Sequence, residues 1–163
     1  MKKTTLRKNQ LYSADVFQIL MEYEIIRTVR YPTPLALIYL EMMPHTSDGK
    51  TSQSAAFIFE TTLNSRLRSV DIPTHHEQGY LILLPTTNEV GVLALCERIL
   101  AIFDQEFETL EGKSVKFSLQ IGAASHNGGP TLMKETLLQT AEAGLQQSRL
   151  KGANTICTIS INN

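Results

Sequence analysis

The segment that constrains the fold most runs from Arg68 to Pro85. Asp71 to His75 is short and extended, and Pro73 confines it to a sheet edge because proline cannot donate to a ladder. His76-Glu77-Gln78-Gly79 reads as the turn, with Gly79 expected at positive φ. Tyr80 to Leu84 is an unbroken apolar run, the pattern of a strand covered on both faces.

The rest of the chain supplies partners for this hairpin. Ser13 is placed to cap a helix, with Asp15 in its first turn, where negative charge is favoured. Phe17, Leu20, Met21, Ile25 and Val29 keep helical spacing up to Arg30, and Pro32 and Pro34 end that helix. Leu35 to Leu40 is a second unbroken apolar run, a central strand ending at Glu41, followed by a polar loop over 43–53. A second helix is expected over 52–68 with Ala56, Phe59, Leu63 and Leu67 inward. After the hairpin, Thr86 and Glu89 have capping-box spacing. The helix they would open carries Val92, Leu95, Cys96, Ile99, Ile102 and Phe103 on one face. Val115, Phe117, Leu119 and Ile121 alternate with polar residues, as in a strand with one exposed face. A helix over 131–150, with Leu137, Leu138, Ala141 and Leu145 inward and Gly152 at its end, leads to a last strand over 155–161.

The order is helix, then β-α-β-β-α-β, then α-β. Long crossovers around one hairpin imply a mixed sheet with helices packed on it, and right-handed crossovers place the first strand beside the one after the third helix. The expected class is α/β (α+β), a ferredoxin-like core with an added N-terminal helix and a C-terminal α-β unit. At 163 residues one domain over 12–163 is expected, after a flexible N-terminus at 1–11.

A net charge of −1 gives no general attraction to nucleic acid or to an anionic membrane, and the basic residues Lys2, Lys3, Arg7 and Lys8 read as a solvated tail. No apolar run spans a bilayer and the start has no secretory pattern, so a cytoplasmic protein is expected. Cys96 and Cys157 lie far apart in apolar patterns and read as reduced core thiols. His45, His75, His76 and His126 lack regular ligand spacing and read as surface loop residues, and no cofactor is expected. Phe57, Ile58 and Phe59 read as core, with a dimer contact as the alternative.

Five stretches resemble a GGDEF domain, the diguanylate cyclase family that joins two GTP molecules into cyclic di-GMP. Arg27-x-x-Arg30-Tyr31-Pro32-Thr33-Pro34-Leu35-Ala36-Leu37 resembles the helix end and entry to the first strand. Leu63-x-x-x-Leu67-Arg68-x-x-Asp71 and Leu81-Ile82-Leu83-Leu84-Pro85 resemble the flanks of the family's signature hairpin. Phe117-Ser118-x-x-Ile121-Gly122 is similar to its S-I-G strand, with one extra residue. Ala141-Glu142-x-x-Leu145 with Lys151-Gly152-Ala153-Asn154 is similar to its closing segment.

The resemblance places the five signature residues on His76, Glu77, Gln78, Gly79 and Tyr80. Two glycines of the family become His76 and Glu77, and two carboxylates become Gln78 and Gly79. Magnesium beside a triphosphate needs anionic oxygens, which Gln and Gly do not provide, and Glu77 one position early would face the other side of a strand. Glu41 stands where the family has a second metal carboxylate and is the one metal candidate; Met43 replaces the next acid, and Gln53 stands near the position of the base-binding aspartate. Arg68 and Asp71 have the R-x-x-D spacing of the family's inhibitory cyclic di-GMP site, where arginine pairs with phosphate and aspartate accepts from guanine. The expectation is a catalytically inactive regulatory domain of a bacterial cytosol that holds a protein partner or a second copy of itself. The alternatives are a cyclic di-GMP receptor using Arg68 and Asp71, and a GTP-binding or cyclase enzyme using Glu41. In the family such domains follow a sensor, which would connect through the helix from Ser13 to Arg30.

Overall fold

The computed structural model describes residues 10–46 and 53–161. Its elements are α1 (Ala14–Arg30), β1 (Leu35–Thr46), α2 (Gln53–Ser65), β2 (Ile72–His76), β3 (Gly79–Pro85), α3 (Glu89–Phe103), β4 (Phe107–Glu108), β5 (Ser114–His126), α4 (Lys134–Lys151) and β6 (Thr155–Ile161). The sheet order is β2-β3-β1-β5-β4, with β6 parallel to β5 and the other pairs antiparallel. The first strand thus lies beside the one that follows the third helix, as right-handed crossovers require.

Alternation along β1 and β3 divides the core between two layers of helices. Ala36, Ile38, Leu40, Tyr80, Ile82 and Leu84 pack with α2 and α3, through Phe59, Leu63, Cys96 and Phe103. Leu35, Leu37, Tyr39, Leu81 and Leu83 pack with α1 and α4, through Phe17, Met21, Ala141 and Leu145. Every residue of β3 is buried, which accounts for its unbroken apolar sequence. Gly122 lets α4 settle on β5, because a Cβ there would collide with the backbone of Leu145 and Gly144.

Several boundaries differ from expectation. β1 continues to Thr46, since Met43 to Thr46 pair with Ser118 to Val115 where a polar loop was expected. Of that loop, residues 47–52, with Asp48 and Gly49, lie outside the described residues. α2 ends at Ser65 rather than 68, and α4 begins at Lys134 rather than near 131. Asn88, not Thr86, caps α3: its side chain accepts from the Gly91 N–H, while Thr86 adopts φ 53°. The cap cannot fall on Thr86 because the next residue, Thr87, is tied by its N–H to the Pro34 carbonyl and by its hydroxyl to the Pro85 carbonyl. β5 is also longer than its alternating stretch, and β4 is a further short strand. Residues 1–9 of the expected flexible N-terminus lie outside the described residues; Leu11 packs on the core, and Tyr12 is buried beside Thr74 of β2.

Both cysteines are buried free thiols, and burial pushes Cys96 up to about 12, which leaves it unreactive. Phe57 is exposed while Phe59 is buried. His126 is buried at the end of β5, not a surface loop residue. Its Nδ1 accepts from the Gly128 N–H at 2.8 Å, so the proton of the neutral ring sits on Nε2, 3.1 Å from the Thr131 hydroxyl. Burial lowers its pKa below the usual 6.5. On acidification the unfolded chain therefore takes up this proton first, and stability falls as pH drops through 6.5. Urea titrations at pH 7.5 and 5.5 should show a drop in midpoint that is smaller in His126→Gln; an equal drop in both would contradict the assignment.

Candidate functional site

The turn between β2 and β3 lies beside the point where β1 loses its β3 partner. Leu40 pairs with Tyr80, so Glu41 is the first residue of β1 beyond that ladder. The tight turn is Glu77-Gln78, with His76 opposite Gly79. Glu77, not Gly79, takes positive φ, at 53°. Gly79 is instead part of β3, pressed against β1: a Cβ at this position would run into the Leu40 carbonyl oxygen and crowd the Cγ of Glu41. The glycine serves close approach of two backbones, not turn geometry.

The side chains around the turn are paired with one another. Glu77 does not point away along a strand; its Oε2 accepts from the Tyr39 hydroxyl at 3.3 Å. Burial, then the Glu77 carboxylate, pushes the Tyr39 phenol up to about 12, so it remains a donor at neutral pH. His76 meets the Tyr39 ring edge-on, with centroids 5.2 Å apart. His75 lies 2.6 Å from Glu60 of α2 and beside the ring of Tyr80. Glu41 points toward α4, where the Nε of Arg149 donates to it at 2.7 Å. The same bond raises the Arg149 pKa further.

A cleft of about 300 Å³ opens here, lined by Glu41, Met43, His45, Gln78, Ser118 and Gln120. Among the described residues lining it the carboxylate is Glu41, already matched by a guanidinium, and Gln78 contributes a neutral amide. Among the described residues no three of His, Cys, Asp and Glu gather around a common point. This donor set does not fit a magnesium ion held beside a triphosphate, which requires anionic oxygens free to coordinate. A neighbouring cleft of about 520 Å³ includes Asp104, Lys116 and Asn154 and shares His45 and Ser118, which are 2.7 Å apart.

Arg68 and Asp71 do come together, but with each other. Asp71 is buried; its Oδ2 accepts from the Arg68 backbone N–H at 2.8 Å, and its Oδ1 from Arg68 Nε at 3.1 Å and Nη2 at 2.8 Å. Nη2 also donates to the Pro85 carbonyl at 2.8 Å and to the Thr87 hydroxyl at 2.9 Å. The pair ties the segment after α2 to the end of β3 and the approach to α3. It forms one wall of a cleft of about 320 Å³ that also takes in Arg66 and Arg98, together with Asn88 and Gly91 at the start of α3. Arg66 and Arg98 are exposed. Sequence spacing did not bring out this convergence, nor the Glu41–Arg149 pair, because each joins elements far apart in the chain.

No protein-family model matches the sequence, and a search of curated proteins finds no match. Solved structures do match. The GGDEF domain of YfiN (TpbB) from Pseudomonas aeruginosa aligns with a TM-score of 0.76 at 15% identity, over 94% of this chain and 99% of that one. The fold is that of a GGDEF domain. The active GGEEF domain of a diguanylate cyclase from Vibrio cholerae gives a TM-score of 0.76 at 15% identity, over 94% of this chain and all (100%) of that one. The GGDEF domain of DgcB from Caulobacter crescentus, solved in complex with c-di-GMP, gives 0.74 at 13% identity, over 97% and 94% of the two chains. Identities this low carry the GGDEF architecture and leave the chemistry to be argued from the residues themselves. Among the described residues no helix is long and apolar enough to cross a membrane.

Proposed function

We propose that this GGDEF-fold domain is a non-catalytic signalling module that works through contact with protein, including a second copy of itself. The observation that carries this reading is the packing of Gly79 on the Leu40 carbonyl, at the position where the resemblance calls for a carboxylate. That packing leaves no room for a side chain, Gln78 is neutral, and Glu41 is neutralised by Arg149. Of the described carboxylates near the turn, Glu77 accepts from Tyr39 and Glu41 is matched by Arg149, and neither signature position adds one, which supports a site without the paired anionic ligands that phosphoryl transfer with magnesium needs. The two helical layers, by contrast, are fully built, so the domain keeps its outer surfaces for recognition.

A second reading is favoured by the arginine cleft. Arg66, Arg68 and Arg98 line one concave surface next to the start of α3, a setting that suits a bis-phosphate ligand such as cyclic di-GMP. Arg68 is a poor probe of it, because its bonds to Asp71, Pro85 and Thr87 also hold the fold. Arg98→Ala and Arg66→Ala are the informative variants. Calorimetric titration with cyclic di-GMP should give micromolar binding weakened about tenfold or more by either substitution if the cleft is a receptor. No heat from folded protein leaves protein contact as the sole mode of action. Binding of GTP with magnesium that depends on Glu41 would overturn the non-catalytic reading.

A further inference from the structure

α1 has two apolar faces, and only one of them is used by the fold. Phe17, Met21 and Thr28 are buried against the sheet and α4. On the opposite side Ile19, Tyr23 and Ile26 are 66%, 68% and 68% exposed. At about 100° per residue these three fall within an arc of roughly 60°, pointing directly away from the buried face. With Val16, which packs in part on the core, and exposed Arg30 they occupy positions 16, 19, 23, 26 and 30, the alternating three- and four-residue spacing of a coiled-coil seam. Val16, Tyr23 and Arg30 take one seam position, and Ile19 and Ile26 the other.

The edges of the seam differ in charge. Glu22 borders one side and Arg27 the other. In a parallel pair of helices the residue preceding one seam position faces the residue five further along in the partner, so Glu22 of each copy meets Arg27 of the other. In an antiparallel pair Glu22 would meet Glu22 and Arg27 would meet Arg27. Both side chains stay accessible beside the seam, Glu22 at 62% and Arg27 at 38% exposure. Glu22 is 3.5 Å from Lys134, and Arg27 is bound to Glu24 of its own helix at 2.7 Å. At the C-terminal end Arg30 lies over the Tyr31 ring, 5.5 Å from its centroid. We infer that α1 is the self-association surface of this domain, pairing in parallel with α1 of a second copy through Ile19, Tyr23 and Ile26.

This inference rests on the reading of the domain as a protein-contact module and names the partner. Sedimentation of the whole chain at low salt over a hundredfold concentration range should show a monomer–dimer equilibrium. Ile26→Asp, on an exposed site, should weaken it about tenfold or more without changing the circular dichroism spectrum. Glu22→Arg and Arg27→Glu should each weaken it, and the double exchange should restore it. Tyr23→Cys should form a disulfide-linked dimer under mild oxidation. A monomer at every concentration, a dimer indifferent to Ile26→Asp, or a dimer in which the charge exchanges have no effect and Tyr23→Cys does not crosslink would each overturn the parallel α1 pairing. The non-catalytic reading fails on a different measurement, turnover of GTP, so the two failures are separable.

Discussion

Gly79→Glu, which would return a carboxylate to the fourth signature position, is expected to destabilise the domain by about 3 kcal/mol and to yield no cyclase activity. The reason is steric and lies in the backbone. Leu40 and Tyr80 are paired in the centre of the sheet, and the chain at Gly79 closes onto the Leu40 carbonyl. Any side chain must push β1 and β3 apart, and β1 is also paired with β5 along its whole length. The strand cannot yield locally, so the ladder itself is disturbed. Gln78→Glu is the matched control: it lies in the exposed turn, where a charge of the same kind costs well under about 1 kcal/mol. Urea unfolding of the two variants should differ by the full effect. Equal stability of Gly79→Glu and the parent would refute the packing argument, and cyclic di-GMP formed from GTP by the variant alone would show that the site lacks only that carboxylate.

Phe59→Ala should cost about 3–5 kcal/mol, which for a chain of this size lowers the melting temperature by about 10 °C. Phe59 is fully buried and is the meeting point of four elements. Its ring stacks on Phe103 of α3 at 4.5 Å, and lies 5.2 Å from Tyr80 of β3 and 5.5 Å from Phe117 of β5. Truncation leaves a cavity that rigid rings cannot close, so the loss exceeds the transfer energy of the side chain. Phe59→Leu, which keeps most of the volume, should lose less than half as much. A melting temperature unchanged in Phe59→Ala would show that α2 does not form this layer.

The doubly buried strands were legible because burial on both faces leaves a sequence no polar residue to place. The runs Leu35 to Leu40 and Tyr80 to Leu84 therefore announced both strands and, with the intervening helices, the sheet order. The continuation of β1 through Pro44 was not legible. Its pairing is supplied by β5, and β3 stops at the partner of Leu40, leaving the free edge on which proline is tolerated. Gly79 stands out in the sequence for a different reason than the structure gives it: glycine at a turn usually signals positive φ, and here it signals contact between strands. Glu77 accepts the strained conformation instead, in company with its bond to Tyr39. The R-x-x-D spacing was visible, yet spacing could not tell that Arg68 and Asp71 would be spent on each other. The outward stripe of α1 is hidden in the sequence for a related reason. The inward set Phe17, Leu20, Met21, Ile25 and Val29 already satisfies the helical pattern, and only exposure in the folded chain separates a second apolar face from the first.

The measurement that tests the central claim most directly is incubation of the purified chain with GTP and magnesium, followed by chromatography for cyclic di-GMP and pyrophosphate. The account predicts no product above the protein-free control, at protein concentrations high enough to populate a dimer. Magnesium-dependent formation of cyclic di-GMP that disappears in Glu41→Gln would contradict it, and would mean that Glu41 leaves Arg149 to serve a catalytic metal.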